Sequence, residues 1–310
     1  MTVVTLPDDS WVRDVGPVPG IEYVTWDLRT PPDRAEEVAV VVPPYTGASA
    51  QLSALSQVPR LDLVQLLTAG YDSALPLVPS GVRLANAAGV HDASTAELAV
   101  ALTLAALRGL PDFVRAQSQD AGTWLPLHLH PALADKRVLI LGYGSIGRAV
   151  AARLIPFEVE LTAVASRARG GDELVPSVHG VDELPHLLPH ADVVIVLVPL
   201  SAHTEQLVDA DFLAALPDGA LLVNVARGKV VDTDALVRAT SHGRILAALD
   251  VTDPEPLPPG HALWSSPGVL ITPHVGGGSS AFRPRAVRLL REQISAYAAG
   301  RQLRNIVHEG

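Results

Sequence analysis

The sequence predicts an α/β protein built on doubly wound, mostly parallel sheets, and three observations support this class. Short apolar runs alternate with helix-like segments along the 310 residues. These runs are continuously apolar, as in parallel strands covered on both faces. One of them leads into Gly142-x-Gly144-x-x-Gly147, a glycine spacing typical of a tight strand-to-helix turn. A chain of this length is also too long to form a single small hydrophobic core, and we expect it to form two lobes.

The first ninety residues contain four predicted strands, at residues 3–6, 38–42, 61–67 and 82–86. A long apolar helix is predicted next, with Ser94 or Thr95 as its N-cap, Glu97 near its third position and an end near residues 109–111. A less regular stretch, which contains Trp124 and two histidines, separates this helix from the glycine-rich segment.

The second part of the chain continues the alternation of strands and helices. Six strands joined by right-handed crossovers would form one doubly wound sheet. The strands are expected at residues 137–141, 161–165, 192–198, 220–225, 245–251 and 269–272. The helices are expected at residues 181–188, 209–215 and 233–241, with a final arginine-rich helix at 281–299.

Composition excludes several classes of protein. Hydrophobic residues make up 48% of the chain and charged residues 18%, which is typical of a globular protein rather than a disordered one. The net charge of −10 argues against nucleic acid or an anionic membrane as the main partner. The absence of cysteine removes disulfides, thiolate nucleophiles and cysteine-ligated metals. The N-terminus lacks the pattern of a signal peptide, and residues 98–107 are too few to span a bilayer. We therefore expect a cytoplasmic protein without a metal.

The glycine motif predicts a dinucleotide site because it lies between an apolar strand and an alanine-rich helix. Gly142 would permit the tight turn, Gly144 would let the backbone approach a pyrophosphate, and Gly147 would let the helix pack on the strand. The helix N-terminus would offer free N–H groups and a partial positive charge to the phosphates. A purely structural strand-to-helix turn is the alternative.

Three side chains capable of chemistry follow consecutive strands, at the sheet edge where open α/β sheets bind ligands. Arg227 could bind a carboxylate through two hydrogen bonds. His274 could act as an acid–base catalyst, and Glu255 could fix its tautomer and stabilise its protonated form. Each has a plainer interpretation: a surface ion pair for Arg227, a turn residue for His274 and a solvated loop residue for Glu255. Their combination downstream of a dinucleotide motif favours catalysis.

With these residues in place, the chain resembles the D-isomer-specific 2-hydroxyacid dehydrogenases. The motifs that carry the resemblance occur in the family's order and cover nearly the whole chain: GYGSIG, VPLSAHTEQL, VNVARGKVVDTDAL, ALDVTDPEPL and TPHVGG. The resemblance implies that Arg227, Glu255 and His274 are the catalytic set. It also implies that the backbone N–H groups of Ala69 and Gly70, together with Arg227, bind the substrate carboxylate.

The resemblance further implies a cofactor groove, with Asp250 near the nicotinamide amide or, alternatively, acting as a strand-end cap. The groove residues would be Gly142, Gly144, Ser145, Ile146, Gly147, Pro199, Thr204, Val225, Ala226, Asp250, His274 and Gly276. The fold it implies has two Rossmann-like lobes. A discontinuous substrate-binding lobe (residues 1–93 and 281–310) would hold an inserted dinucleotide-binding lobe (94–280). Members are usually homodimers, and residues 110–135 would form the dimer arm.

The expected reaction interconverts a small 2-oxo acid and its D-2-hydroxy acid, as in the glyoxylate and hydroxypyruvate reductase branch. Glu255 disfavours the formate-oxidising members, which pair the histidine with glutamine. A nucleotide-sensing, non-catalytic regulator on the same fold is the alternative. Specificity would come from loops near Tyr45, Tyr71, His91, Trp124 and Phe282.

The turn after the second strand of the sheet predicts NADP(H) rather than NAD(H). An acidic residue about 20 positions beyond the glycines binds the ribose hydroxyls in the NAD pattern. Here the chain has Ser166-Arg167-Ala168-Arg169 instead. Ser166, Arg167 and Arg169 would donate hydrogen bonds to a 2′-phosphate and offset its charge. The alternative is a solvated basic loop, with Asp172 and Glu173 close by.

Overall fold

A computed structural model describes residues 1–45, 49–118 and 122–310 of the chain. Two compact units divide it: residues 1–91 with 280–310 form the first unit, and residues 92–279 form the second.

The strands of the first unit are β1 (Thr2–Leu6), β2 (Ile21–Thr25), β3 (Val38–Val41), β4 (Leu63–Gln65), β5 (Arg83–Ala85) and β14 (Ile306–His308). They form a six-stranded sheet with the order β14-β5-β4-β3-β1-β2, in which β14 alone is antiparallel. Its α-helices are α1 (Asp9–Val15) and α8 (Phe282–Ala298), and its 3-10 helices are Ala35–Glu37, Ser49–Gln57 and Leu75–Leu77.

Apolar cores lie on both faces of this sheet because successive residues of a strand point to opposite sides. Val4 packs in a core with Trp11 of α1 and Leu290 of α8. The adjacent Val3 packs in a second core with Leu52 and Leu55 of the 3-10 segment Ser49–Gln57. Both faces of the strand are therefore apolar, as its sequence predicts.

The strands of the second unit are β6 (Arg137–Leu141), β7 (Glu160–Ala165), β8 (Arg169–Gly170), β9 (Ser177–Gly180), β10 (Val193–Val196), β11 (Leu221–Asn224), β12 (Leu246–Leu249) and β13 (Val269–Ile271). They form an eight-stranded sheet with the order β13-β12-β11-β10-β6-β7-β9-β8, in which β8 alone is antiparallel. Its α-helices are α2 (Asp92–Leu107), α3 (Leu110–Ser118), α4 (Ser145–Leu154), α5 (Leu184–Leu187), α6 (Ala210–Ala215) and α7 (Thr233–Ser241). Its 3-10 helices are Ile155–Phe157, Val181–Glu183, Leu188–His190, Gly228–Val230 and Ala262–Trp264.

The order of these strands places a switch point between β6 and β10. The chain moves outward from β6 through β7 to β9, and then returns to the other side of β6 at β10. Loops diverge at the carboxyl ends of the strands at such a point and leave a crevice for a ligand. The fold class predicted from the sequence, α/β with two doubly wound sheets, is confirmed.

Several elements differ from their predicted bounds. Helix α2 begins at Asp92, so Ser94 and Thr95 lie buried within its first turn and are not its cap. The Ser94 hydroxyl instead bonds to the Ser279 hydroxyl at 2.6 Å. The helix predicted at 181–188 is a 3-10, α and 3-10 succession. Pro185 and Pro189 each remove an N–H donor there, which breaks the regular helical pattern.

Within the described part of the chain, no single helix is long and apolar enough to cross a membrane. The pair α2 and α3 passes that test of length and composition only when taken together, across a bend of 71°.

Candidate active site

The glycine turn between β6 and α4 shows a separate reason for each glycine. Gly142 has φ +112°, and a Cβ there would lie 2.7 Å from the backbone of residues 197–198. A Cβ on Gly147 would lie 2.4 Å from the Gly142 carbonyl oxygen, so α4 packs directly on the turn. A Cβ on Gly144 would meet nothing within 4 Å. The space beside Gly144 and the N-terminus of α4 is therefore open to a ligand.

Five loops follow the carboxyl ends of adjacent parallel strands in this sheet: 142–147, 197–204, 225–228, 250–255 and 272–276. They hold the residues that the sequence predicts for the cofactor groove and for catalysis, from Gly142 to Gly276. The parallel topology thus gathers these predicted residues along one edge of the second unit.

His274 and Glu255 form a hydrogen-bonded pair at this edge. Nδ1 of His274 lies 2.6 Å from Oε1 of Glu255. The side chains are 46% and 40% exposed, so the pair faces accessible space. The carboxylate holds Nδ1 as the donor and leaves Nε2 for another partner. His274 also has φ +53°, a backbone conformation uncommon for a residue with a side chain.

Asp250 anchors the loop that carries His274. Its buried carboxylate accepts hydrogen bonds from Oγ1 of Thr272 (2.6 Å) and from the N–H groups of Val275 (2.8 Å) and Gly276 (2.8 Å). The Asp250 carbonyl accepts from the N–H of His274 at 2.8 Å. These four bonds offset the cost of the strained backbone at His274. They also show that Asp250 caps the end of its strand.

Arg227 begins the short 3-10 turn after β11. Asn224, fully buried, accepts from the N–H of Ala226 (3.0 Å) and donates to the Arg227 carbonyl (3.0 Å). The next residue, Gly228, packs against the loop after β12, where a Cβ would lie 1.9 Å from the Thr252 carbonyl oxygen. The Arg–Gly pair therefore brings the turn of Arg227 and the loop of Glu255 side by side. The sequence showed the glycine, but we did not predict the part played by Asn224.

The other residues predicted for the cofactor groove lie at the same edge of the sheet. Thr204 donates to the Pro199 carbonyl at 2.6 Å and accepts from the N–H of Ser201 at 2.8 Å, which closes the loop after β10. Val225 and Ala226 are buried, so they present backbone rather than side chain. Ser145 and Ile146 form the first turn of α4.

The basic turn after β7 is exposed at Ser166, Arg167 and Arg169. Arg169 donates to the carbonyl of Tyr143, inside the glycine turn, at 2.7 Å. Arg167 has no hydrogen-bond or ion-pair partner among the described residues. The turn therefore has one guanidinium fixed against the glycine loop and one available to a ligand.

The two acidic residues near this turn are already engaged. Asp172 accepts from the Tyr143 hydroxyl and from the N–H of Leu174, and it pairs with Arg148. Burial works to raise the pKa of Asp172, but these donors outweigh it and hold that pKa below its usual value. Burial and the Asp172 carboxylate raise the pKa of Tyr143 to about 12. Arg148 also pairs with Glu173 at 2.7 Å.

Ala69 and Gly70 lie in the first unit, in the half-exposed loop that follows β4. In the same unit Tyr45, His91 and Phe282 form a stacked aromatic cluster, with ring centroids 4.1 to 5.6 Å apart. Trp124 lies elsewhere, almost fully exposed in the second unit. Residues 119–121 of the predicted dimer arm lie outside the described residues.

Among the described residues, no group of three or more histidine or acidic side chains could hold a metal ion. The chemistry of this edge is that of an imidazole–carboxylate pair, a guanidinium and a glycine-rich turn.

A known protein family matches most of the second unit. The family described as "D-isomer specific 2-hydroxyacid dehydrogenase, NAD binding domain" matches residues 100–276. A glyoxylate reductase from Thermofilum pendens is 34% identical over 249 residues, which span 78% of this chain and 73% of the relative.

Solved structures match over the full length. A D-isomer specific 2-hydroxyacid dehydrogenase from Xanthobacter autotrophicus, solved with NADPH and MES, has a TM-score of 0.81 and 30% identity over 99% of this chain and 98% of its own. An NADPH-dependent glyoxylate/hydroxypyruvate reductase from Sinorhizobium meliloti, solved with NADP and malonate, has a TM-score of 0.79 and 28% identity over 99% and 97% of the two chains. The chain therefore belongs to the D-isomer specific 2-hydroxyacid dehydrogenase family, as an oxidoreductase that acts on a CH–OH group with a nicotinamide cofactor.

Proposed function

We propose that the protein reduces a small 2-oxo acid of the glyoxylate or hydroxypyruvate type to the 2-hydroxy acid, with NADPH as the preferred cofactor. The observation that carries this proposal is the pair of His274 and Glu255, joined at 2.6 Å and accessible at the ligand edge of the sheet. A proton donor fixed by a carboxylate is what the reduction of a keto group requires of the protein.

The second unit fits a dinucleotide. Gly144 leaves open space, and the N–H groups at the start of α4 have the direction that a pyrophosphate needs. Gly142, Gly144, Ser145, Ile146 and Gly147 would hold the phosphates. The other residues of the groove would be Pro199, Thr204, Val225, Ala226, Asp250, His274 and Gly276. The bound nicotinamide supplies the hydride.

The residues of the chain orient the substrate and supply the proton. Nε2 of protonated His274 donates a hydrogen bond to the keto oxygen and then transfers its proton to that oxygen. Glu255 holds the imidazole through Nδ1 and stabilises its positive charge before the transfer. Arg227 and the N–H groups of Ala69 and Gly70 bind the carboxylate, because a planar guanidinium and convergent amides both match its two oxygens.

The preference for NADPH rests on the turn after β7. The unpartnered Arg167, together with Ser166, would bind a 2′-phosphate, and Arg169 would add charge from its fixed position beside Tyr143. The acidic residues that could repel a phosphate, Asp172 and Glu173, are both paired with Arg148. NADP(H) complexes of similar proteins support the same assignment.

We also propose that the protein is a homodimer and that residues 122–132 of the second unit contact a second copy. This segment has no regular secondary structure. Trp124, Leu127 and Leu129 are 99%, 95% and 87% exposed. Three almost fully exposed large apolar side chains within six residues are typical of a surface that a partner covers.

A panel of three substrates with two cofactors tests the proposal. Glyoxylate, hydroxypyruvate and pyruvate are each assayed with NADPH and NADH by the loss of reduced nicotinamide absorbance. We expect turnover of glyoxylate or hydroxypyruvate with NADPH, and a lower kcat/KM with NADH. If none of the three acids is reduced with either cofactor, the proposed substrate class is wrong.

A further inference from the structure

In the loop after β4 of the first unit, the carbonyl groups are hydrogen-bonded within the protein and most of the N–H groups are not. Six consecutive carbonyl groups, those of residues 66–71, each accept a hydrogen bond from another group of the protein. Within the described residues, the N–H groups of residues 67–71 have no such acceptor. Residues 68–71 are half-exposed. The loop therefore satisfies its acceptors internally and leaves its donors accessible.

Side chains supply several of the donors to these carbonyls. Nδ2 of Asn86 donates to the Ala69 carbonyl at 2.7 Å, and Nε2 of His91 donates to the Leu67 carbonyl at 2.8 Å. Oγ1 of Thr68 donates to the Gly70 carbonyl at 2.7 Å. The backbone N–H of Ala87 donates to the Thr68 carbonyl at 2.8 Å.

Peptide planarity converts these bonds into an orientation of the N–H groups. In a trans peptide the C=O of one residue and the N–H of the next point in opposite directions. A donor that holds the Ala69 carbonyl thus directs the Gly70 N–H away from itself. In the same way, the bond to the Leu67 carbonyl directs the Thr68 N–H. Asn86 and His91 therefore determine which way two peptide groups of the loop face.

Both side chains are themselves fixed. Asn86 is 7% exposed, and its Oδ1 accepts from the N–H of Ala88 at 3.2 Å, so its amide has one orientation that satisfies both partners. His91 is 5% exposed and stacks against Tyr45 and Phe282. Because its Nε2 faces a carbonyl, that nitrogen carries the hydrogen.

We propose that Asn86 and His91 are positioning residues for the substrate carboxylate, because they bind the carbonyls of Ala69 and Leu67 and so keep the N–H groups of Gly70 and Thr68 directed outward. This rests on the proposed function, in which the loop binds a 2-oxo acid. A flipped peptide would present a carbonyl oxygen to the carboxylate, so each lost bond weakens carboxylate binding without touching the cofactor.

The experiment uses Asn86→Asp and His91→Phe in the full chain. Asn86→Asp keeps the shape but removes the donor, and His91→Phe keeps the aromatic stack but removes the N–H. We expect KM for the best 2-oxo acid to rise about tenfold or more in each, the effect of about one lost hydrogen bond. The dissociation constant of NADPH should stay within about twofold, since it reports the fold of the second unit. His91→Gln, which retains an N–H donor, should recover part of the lost affinity.

Asn305→Gly is the matched control. Asn305 lies in the same region and donates to the Ala88 carbonyl at 3.0 Å, but it makes no bond to the 66–71 loop. Glycine tolerates its φ of +55°. This variant should leave KM nearly unchanged.

A binding measurement separates this inference from the proposed function. Oxamate, an unreactive analogue of a 2-oxo acid, is titrated into the NADPH complex while the backbone amide NMR signals of Ala69 and Gly70 are followed. In the wild type these signals should shift, and both variants should bind oxamate about tenfold more weakly. Unchanged KM and oxamate affinity in both variants would overturn the positioning roles while leaving the proposed reaction intact. Absence of any 2-oxo acid turnover in the wild type would instead overturn the proposed function.

Discussion

The imidazole of His274 is anchored at one nitrogen, by Glu255, and is open at the other. At the scale of single residues this asymmetry is the basis of the proposed chemistry. His274→Ala removes the proton donor and should lower kcat by about two to four orders of magnitude, the usual contribution of general acid–base catalysis. The NADPH dissociation constant should change far less than kcat, because the other residues proposed for the cofactor groove are retained. A variant whose kcat stays near the wild-type value would show that His274 is not the proton donor.

Glu255→Gln tests the partner separately. The amide can still hold the imidazole, but it cannot stabilise its positive charge. We expect a lower kcat, because the protonated imidazole loses the carboxylate that stabilises it. If kcat stays at the wild-type value, Glu255 acts only through the shape of its loop.

The guanidinium of Arg227 is proposed to bind the carboxylate of the substrate. Lysine keeps the charge but loses the planar fork of donors, so Arg227→Lys should raise KM for the 2-oxo acid. It should also lower kcat, because part of the contact strengthens as charge develops on the keto oxygen. Thermal unfolding provides the control. Loss of stability with unchanged kcat/KM would mean that Arg227 supports only its loop.

At the scale of elements, the turn between β7 and β8 holds two arginines with different contacts, because Arg169 is hydrogen-bonded to the Tyr143 carbonyl and Arg167 has no such bond among the described residues. Arg167→Ala removes an unpartnered guanidinium and should weaken NADPH binding by about 1–3 kcal/mol, the range for hydrogen bonds to charged groups. Binding of NADH should hardly change. Arg169→Ala is the comparison, since Arg169 is bonded to the Tyr143 carbonyl of the glycine turn. We expect Arg169→Ala to weaken both cofactors, and equal losses for NADPH and NADH in Arg167→Ala would contradict its assigned role.

The ion pair between β6 and β10 predicts a pH dependence of stability. Asp192 accepts from Nη2 and Nε of Arg137 at 2.9 and 3.0 Å, and from the Arg137 backbone N–H at 2.9 Å. The bond from the Arg137 side chain is the main reason that the pKa of Asp192 lies below its usual 3.8. A carboxyl whose pKa is lower in the folded state stabilises the fold above its unfolded pKa. That stabilisation is lost as the pH falls below about 4 toward the folded value.

Asp192→Asn should therefore lower the free energy of unfolding at pH 7 by roughly 1–2 kcal/mol, with a smaller difference from the wild type at pH 3. Asp218→Asn is the control. Asp218 faces Arg244 at 3.6 Å with 88% of its side chain exposed, so it should change stability by less than about 0.5 kcal/mol. Chemical denaturation at the two pH values checks both, and a difference for Asp192→Asn that does not shrink at pH 3 would exclude the ion pair as its source.

Elements with a strong local pattern could be predicted from the sequence. Strand β6 and helix α7 have their predicted bounds, because apolar periodicity and an aspartate cap define them within a few residues. Strand β8, two exposed residues long, has no such pattern. Helix α1 was missed although Asp8 caps it and Gly16 ends it, because seven residues are too few to show a helical period.

The side chains proposed for catalysis could be identified in the sequence because each follows a recognisable strand. The hydrogen bonds that hold the loops of the site in place could not be predicted from the sequence. Asn86 and Ala69 are 17 positions apart, and Asp250 and Gly276 are 26 apart. Such bonds depend on how the strands are paired, which the local sequence does not encode. The polarity of the 66–71 loop was therefore visible only in the structure.

At the scale of the whole molecule, the segment of residues 122–132 predicts the oligomeric state. The triple variant Trp124→Ser, Leu127→Ser and Leu129→Ser should convert a dimer into a monomer, because it removes the apolar surface that a second copy would cover. Light scattering coupled to gel filtration measures the mass. Leu77→Ser, at an apolar site of the first unit that is 38% exposed, should leave the mass unchanged. A monomeric wild type, or a triple variant that remains dimeric, would contradict this interface.

The proposed function requires an NADPH-dependent reductase that makes a D-2-hydroxy acid with His274 as proton donor. The most direct measurement is chiral analysis of the glycerate formed from hydroxypyruvate and NADPH, by the wild type and by His274→Ala. We expect D-glycerate in large excess from the wild type and a rate lower by about two to four orders of magnitude from the variant. Formation of L-glycerate, or equal rates from the two proteins, would show that the proposed function is wrong.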